Sequence, residues 1–123
     1  MRKVFGERVI VTRGLDHCLF LYTEDQWRMI AEKLSQLSLG QTKSRQFVRM
    51  MLAGAEEVEI DSLGRILIPD HLVKYAGLKE ELVVTGVYTR AEIWDKSAWA
   101  AYSTLVTNKA DELAEELGKD GAY

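Results

Sequence analysis

Apolar residues recur along the chain with two periods, near two and near 3.6, and the switch from one to the other marks out the elements. Arg8 to Thr12 is rich in β-branched residues and Cys18 to Tyr22 is a second apolar run. Between them Arg13 to His17 carries the turn residues Gly14 and Asp16, which predicts an antiparallel strand pair. From Thr23 the period lengthens: Trp27, Ile30, Ala31, Leu34 and Leu37 fall on one helical face, and Thr23 with Gln26 has the spacing of a reciprocal N-terminal cap. Gly40 interrupts, and Thr42 opens a helix whose apolar positions are Phe47, Val48, Met51 and Leu52. After the break at Ala53-Gly54-Ala55, Glu56 to Asp61 alternates, with Val58 and Ile60 on one side of a half-buried strand. Glu81 to Val87 and Ala91 to Trp94 predict two more strands, Asp95 caps a helix carrying Trp99, Tyr102 and Val106, and Asp111 to Leu117 predicts an acidic helix stopped at Gly118.

Two stretches of this pattern are copies of each other. At an offset of 72, Val11 lies over Val83, Gly14-Leu15 over Gly86-Val87, Leu21-Tyr22 over Ile93-Trp94 and Trp27 over Trp99. Each copy reads strand, turn, strand, helix. The division expected is a first half-repeat over residues 1–53, a second over 54–108 and an acidic tail over 109–123.

Between the copies, Val58 to Pro69 predicts two short strands around a turn in which Gly64 takes a positive φ. Pro69 closes the second strand, since it has no N–H for a ladder, and His71, Leu72, Tyr75 and Ala76 fit a two-turn helix ended by Gly77. The apolar side of this hairpin, Val58, Ile60, Ile66 and Ile68, is expected to need a partner, which predicts self-association through residues 58 to 94.

Composition adds limits. At 123 residues, 47% hydrophobic and 28% charged, the chain is one globular unit or two halves sharing a core, with no apolar stretch long enough to cross a bilayer. No signal-peptide core follows the first residues, and the lone Cys18 has no internal partner, so a reducing cytoplasmic setting is expected. The net charge of −3 is carried by residues 109–123, leaving the rest neutral. Arg2, Lys3, Arg8 and Arg13 cluster near the start, and Lys43, Arg45 and Arg49 lie in an acid-free stretch from Gly40 to Ala55.

Asp61, Gly64, Arg65, Pro69 and Ala76-Gly77-Leu78 together resemble the hallmark of the AbrB-type swapped-hairpin DNA-binding fold, Asp-x-x-Gly-Arg-x-x-x-Pro followed by a short helix. The wider pattern resembles the MraZ family from about Gly6 to Tyr102. It includes Thr12 to Asp16, Cys18-Leu19-Phe20, Phe47-Val48-Arg49, Gly54-Ala55, and Gly86-Val87 leading to Glu92-Ile93-Trp94. The resemblance implies an α+β fold, an AbrB-like swapped-hairpin β-barrel built from two pseudo-repeated halves with flanking helices. It also implies a cytoplasmic, nucleoid-associated transcriptional regulator that binds double-stranded DNA at promoter repeats of its own division and cell-wall gene cluster, as a ring-like homo-oligomer. Family members carry a second such hairpin in the first half. Subtracting the offset from Asp61 places it upstream of Met1, so one hairpin and weakened DNA binding are expected.

Arg65 is the first candidate for DNA contact, because its rigid five-donor fork grips a phosphate or the guanine O6/N7 edge. Asp61, repelled by DNA, is expected to orient Arg65, or else the two simply staple their own turn, with Gly64 permitting the bend. Ser62 could donate to a phosphate, and Arg13 and Lys74 are further phosphate candidates. No cofactor, metal, small-molecule substrate or membrane is called for. His17 and Cys18, adjacent in an expected strand, face apart and make no dyad, and no phosphate-cradling loop is present. The chain is therefore read as no enzyme; the alternative is an AbrB-like antitoxin or an oligomerisation module without specific DNA binding.

Overall fold

The computed structural model describes residues 8–122. Strands β1 (Arg8–Arg13) and β2 (Leu19–Thr23) lead into helices α1 (Glu24–Ser35) and α2 (Thr42–Ala53), and β3 (Glu56–Glu59) follows. After the hairpin tip come α3 (Asp70–Ala76), β4 (Leu82–Gly86), β5 (Ala91–Asp95), α4 (Lys96–Asn108) and α5 (Ala110–Lys119). All five strands form one antiparallel sheet in the order β3-β1-β2-β5-β4, so the fold is α+β. Arg2 and Lys3 of the amino-terminal basic cluster lie outside the described residues.

Alternation along the strands gives the sheet two apolar faces. Val9, Val11, Leu19, Leu21 and Ile93 point to one, where Val58, Leu72 and Ala76 cover them and Ile60, Ile66 and Ile68 pack at the edge. Phe20, Tyr22 and Trp94 point to the other, under Leu34 of α1, Met51 of α2, and Trp99 and Tyr102 of α4. The expected cap is present: the Thr23 hydroxyl accepts from the Gln26 N–H at 3.1 Å and the Gln26 side chain accepts from the Thr23 N–H at 3.1 Å. Asp95, at the equivalent place before α4, accepts from the Ala98 N–H. Leu37 falls just beyond α1 and is partly exposed.

The two copies meet at the middle of the sheet. Phe20 pairs with Glu92, its own counterpart at the offset of 72, with Leu19 opposite Ile93 and Leu21 opposite Ala91. This register is that of a pseudo-two-fold axis through the β2–β5 seam. The offset slips to 73 in the outer strands, since Val11 lies opposite Leu21 while Val84, not Val83, lies opposite Ile93. The physical reason is the β4–β5 connection, one residue shorter than the β1–β2 connection. Elements that follow residue 53 lie against the first strand: β3 ladders onto β1, Arg8 opposite Glu59 through Val11 opposite Glu56, and α3 packs on β1.

Four local expectations are corrected. Residues 66–69 form no strand, and among the described residues none pairs with them in the sheet. Their apolar side is not bare, since Val58 is buried and Ile60, Ile66 and Ile68 pack on the chain's own core. On β4, Val84, which pairs with Ile93 and corresponds to Val11 of the first half, is 62% exposed. In the β1–β2 turn the left-handed residues are Asp16 (φ 59°) and His17 (φ 61°). Gly14 is needed for another reason: a Cβ there would overlap the Phe20 ring and the Cys18 carbonyl. His17 accordingly lies outside the strand that was to carry it with Cys18. Finally, Gly118 lies inside α5, and the left-handed residue beyond that helix is Gly121 (φ 75°).

Candidate nucleic-acid interface

The tip between β3 and α3 is organised by one carboxylate. The Asp61 N–H donates to the Arg65 carbonyl at 2.8 Å and the Gly64 N–H to the Asp61 carbonyl at 3.0 Å, closing the turn. Asp61 Oδ1 accepts from the Leu63 N–H at 2.9 Å and the Arg65 N–H at 2.8 Å, and Oδ2 accepts from Arg65 Nε at 2.9 Å. Gly64 has φ 79° with open space where a Cβ would stand, so glycine is there for the dihedral, not for room. The Arg65 side chain is 72% exposed, and its bond to Asp61 engages one donor of the five-donor fork. Ser62 is exposed on the same turn.

This tip stands on a fastened base. Arg8 Nη1 lies 2.7 Å from Glu57 Oε1 and Nη2 4.0 Å from Glu59 Oε1, tying β1 to β3 and pushing the Arg8 guanidinium pKa further up. His71 Nε2 lies 2.8 Å from Glu56 Oε2, joining α3 to the start of β3. At the far end of α3 the Tyr75 hydroxyl donates to the Gly14 carbonyl at 2.6 Å, and its ring stacks on His17 with centroids 5.9 Å apart. Leu72 is fully buried beneath the helix.

Of the four residues predicted to contact DNA, the fold brings Ser62 and Arg65 together and places the other two elsewhere. Arg13 ends β1 at the opposite end from Arg8, the residue that pairs beside the tip, about 16 Å away along a six-residue strand. It is half-buried and donates Nε to the Met50 carbonyl at 3.1 Å, beside Thr12, whose hydroxyl donates to the Met51 carbonyl at 2.6 Å. These two side chains satisfy carbonyls in the last turn of α2, which has no basic residue of its own there. Lys74 is exposed in the last turn of α3, next to the residue fastened to Gly14 rather than near the tip. Sequence reasoning missed the fastenings. Arg8, facing an alternation of Glu57 and Glu59, was the available signal, and the contacts of His71 and Tyr75 follow only once α3 is laid across β1 and β3.

The shifts at Arg8, Cys18, Tyr22, Tyr75 and Tyr102 all run away from neutrality. Burial pushes the Cys18 thiol up to about 12, and raises the phenols of Tyr22, Tyr75 and Tyr102. None of these is poised to exchange a proton near pH 7. Among the described residues no group of three or more His, Cys, Asp or Glu is arranged to hold a metal ion, and no helix is long and apolar enough to cross a membrane.

Comparison with known proteins places this geometry in a family. The profile described as an antitoxin-like MraZ protein matches residues 1–50 and again residues 51–118. A protein of Caldanaerobacter subterraneus named transcriptional regulator MraZ is 46% identical over 116 residues, spanning 94% of this chain and 81% of the relative. Proteins of the same name in Acetivibrio thermocellus and Alkaliphilus metalliredigens are 45% and 44% identical over 120 residues each, covering 98% and 95% of this chain and 84% of each relative. The double match repeats the internal duplication seen in the sheet, and on these grounds the chain belongs to the MraZ family.

Proposed function

We propose that this chain is a sequence-specific DNA-binding transcriptional regulator, reading double-stranded DNA with the Asp61–Arg65 tip. The observation that carries the reading is an exposed guanidinium pre-oriented by a buttressed carboxylate on a glycine-bent turn. Arg65 makes the base or phosphate contact, Ser62 a phosphate contact, and Asp61 and Gly64 set the geometry. Arg13 and Lys74, engaged or placed away from the tip, lend the fold and its surface charge.

One bidentate contact is worth only about 1–3 kcal/mol of discrimination, so affinity must come from repetition. A ring-like homo-oligomer presenting several tips to spaced repeats makes each further contact effectively intramolecular. The bare apolar side of β4 suits a second hairpin laid across it, as a swapped-hairpin barrel requires. By family resemblance the target is the promoter of the regulator's own division and cell-wall gene cluster, in the nucleoid.

The test is fluorescence anisotropy with a labelled duplex from that promoter, at stepped salt. Arg65→Ala should lower affinity at least tenfold and flatten the salt dependence, with sedimentation unchanged. An Arg65→Ala chain that assembles and still binds the duplex as wild type does would overturn the reading.

A further inference from the structure

The internal repeat sets two turns beside two helices, and only one of these places is filled. At the offset of 72 that aligns β2 with β5, Tyr88 is the counterpart of Asp16, and both stand left-handed, at φ 65° and 59°. Beside α4 the Asp16 carboxylate lies against the Tyr102 phenol, whose pKa is raised first by burial and next by that carboxylate. Beside α1 the same two places hold Tyr88, which is fully exposed, and Ile30, the counterpart of Tyr102. A cavity of about 220 Å³ is left there, lined by Gln26, Met29, Ile30, Lys33, Tyr88 and Thr89.

The lining divides into an apolar part and a donor part. Ile30, half-buried, Met29, exposed, and the Tyr88 ring offer an aliphatic floor, a thioether and an aromatic wall to a flat apolar group. Gln26, Lys33 and Thr89 each bring a hydrogen-bond donor, and no carboxylate is among the lining residues. Gln26 Oε1 already accepts from the Thr23 N–H at 3.1 Å, which leaves the NH₂ of the amide to bond elsewhere. Lys33, in the last turn of α1, has no ion-pair partner among the described residues. Its counterpart in the filled place is Leu105, and that of Met29 is Ala101, so the cationic mouth belongs to the open place alone. The left-handed region is costly for a bulky side chain, and the turn that holds Tyr88 in it is closed by the Val87 N–H on the Arg90 carbonyl and the Thr89 N–H on the Val87 carbonyl, each at 2.8 Å.

We propose that this cavity is a binding site for a small aromatic monocarboxylate, its ring among Met29, Ile30 and Tyr88 and its carboxylate on Lys33 and Gln26. In the filled place the chain supplies both parts itself, the carboxylate from Asp16 and the ring from Tyr102; in the open one both come from outside. Size sets the class: the cavity falls below the ~300–1,000 Å³ of sites for drug-sized ligands, so one ring and one acid group fill it. A bound ligand would join α1 of the first half to the β4–β5 turn of the second. The site goes beyond the DNA reading and shares no residue with the Asp61–Arg65 tip.

Benzoate titrated into the full chain, isotope-labelled at the methionine methyl groups and followed by NMR, tests it. The Met29 methyl should shift saturably. Benzamide, of the same shape but neutral, should bind about fivefold more weakly, and benzylamine, a cation, should give no saturable shift. Lys33→Ala, at an exposed helical position, should weaken benzoate binding by about fivefold, the upper end of what an exposed ion pair supplies. Ile30→Tyr with Tyr88→Asp, which rebuilds the filled arrangement, should abolish the shift while far-UV circular dichroism stays that of wild type. No saturable shift at Met29, equal affinity for benzamide, a Lys33→Ala chain that binds benzoate as wild type does, or a folded double variant that still binds would each overturn the proposal. So would a Met29 resonance that moves with protein concentration and not with benzoate, which would assign the cavity to a contact between chains.

Discussion

Asp61 puts an anion where a phosphate would approach, and bare electrostatics says that removing it should strengthen DNA binding. The hydrogen bonds argue the reverse. Its two oxygens hold the Leu63 and Arg65 N–H groups and the Arg65 Nε, so without them the turn loses its internal acceptor and the guanidinium its anchor. The exposed position limits the effect on global stability to about 1 kcal/mol. Asp61→Ala should therefore weaken duplex binding several-fold, with a melting temperature within a few degrees of wild type. Tighter binding in the same anisotropy assay would show that the carboxylate merely repels. Charge counting and orientation thus predict opposite signs, which makes this residue more informative than Arg65, whose loss harms binding on either view.

At the scale of elements, the helix starts and most strands were legible because their signals are local. Thr23 and Gln26 sit three residues apart in sequence and in the cap, and the alternation of Glu56 to Glu59 is the alternation of the strand. What was not legible depends on partners far along the chain. The sequence of residues 66–69 reads as a strand, but a strand exists only where another offers a ladder. Arg13 reads as a free cation in a turn, until α2 arrives with carbonyls needing donors and Gly54 leaves room for the side chain: a Cβ at Gly54 would overlap Arg13 Nε. The same physics makes Arg13 a test of the element. Arg13→Ala should unpair the Met50 carbonyl and lower stability by about 1–2 kcal/mol in urea titration, with duplex affinity per folded molecule unchanged. A loss of affinity equal to that of Arg65→Ala would return Arg13 to the DNA surface.

The whole molecule is held at the seam where the copies meet. Glu92 accepts from Arg90 Nη2 at 2.7 Å, Arg90 Nε at 3.2 Å and Trp94 Nε1 at 3.1 Å, and the Arg90 guanidinium lies 4.2 Å over the Phe20 ring across the β2–β5 pair. The network is mostly shielded, with side chains 29% and 13% exposed for Arg90 and Glu92, so breaking it strands a partly buried cation rather than releasing it to water. Pseudo-symmetry sharpens the point: the counterpart of Glu92 is Phe20, so the two-fold that relates backbones at the seam is broken chemically into an acid and a ring, and the cation between them satisfies both. Because the copies share one sheet and β3 crosses from one to the other, they should not unfold independently. Glu92→Ala is expected to cost about 2–4 kcal/mol, lowering the urea midpoint while tryptophan fluorescence and far-UV circular dichroism still report a single coincident transition. Two separated transitions would mean that the halves are domains joined by a weak seam; an unchanged midpoint would mean that backbone pairing between β2 and β5 suffices without the ion pair.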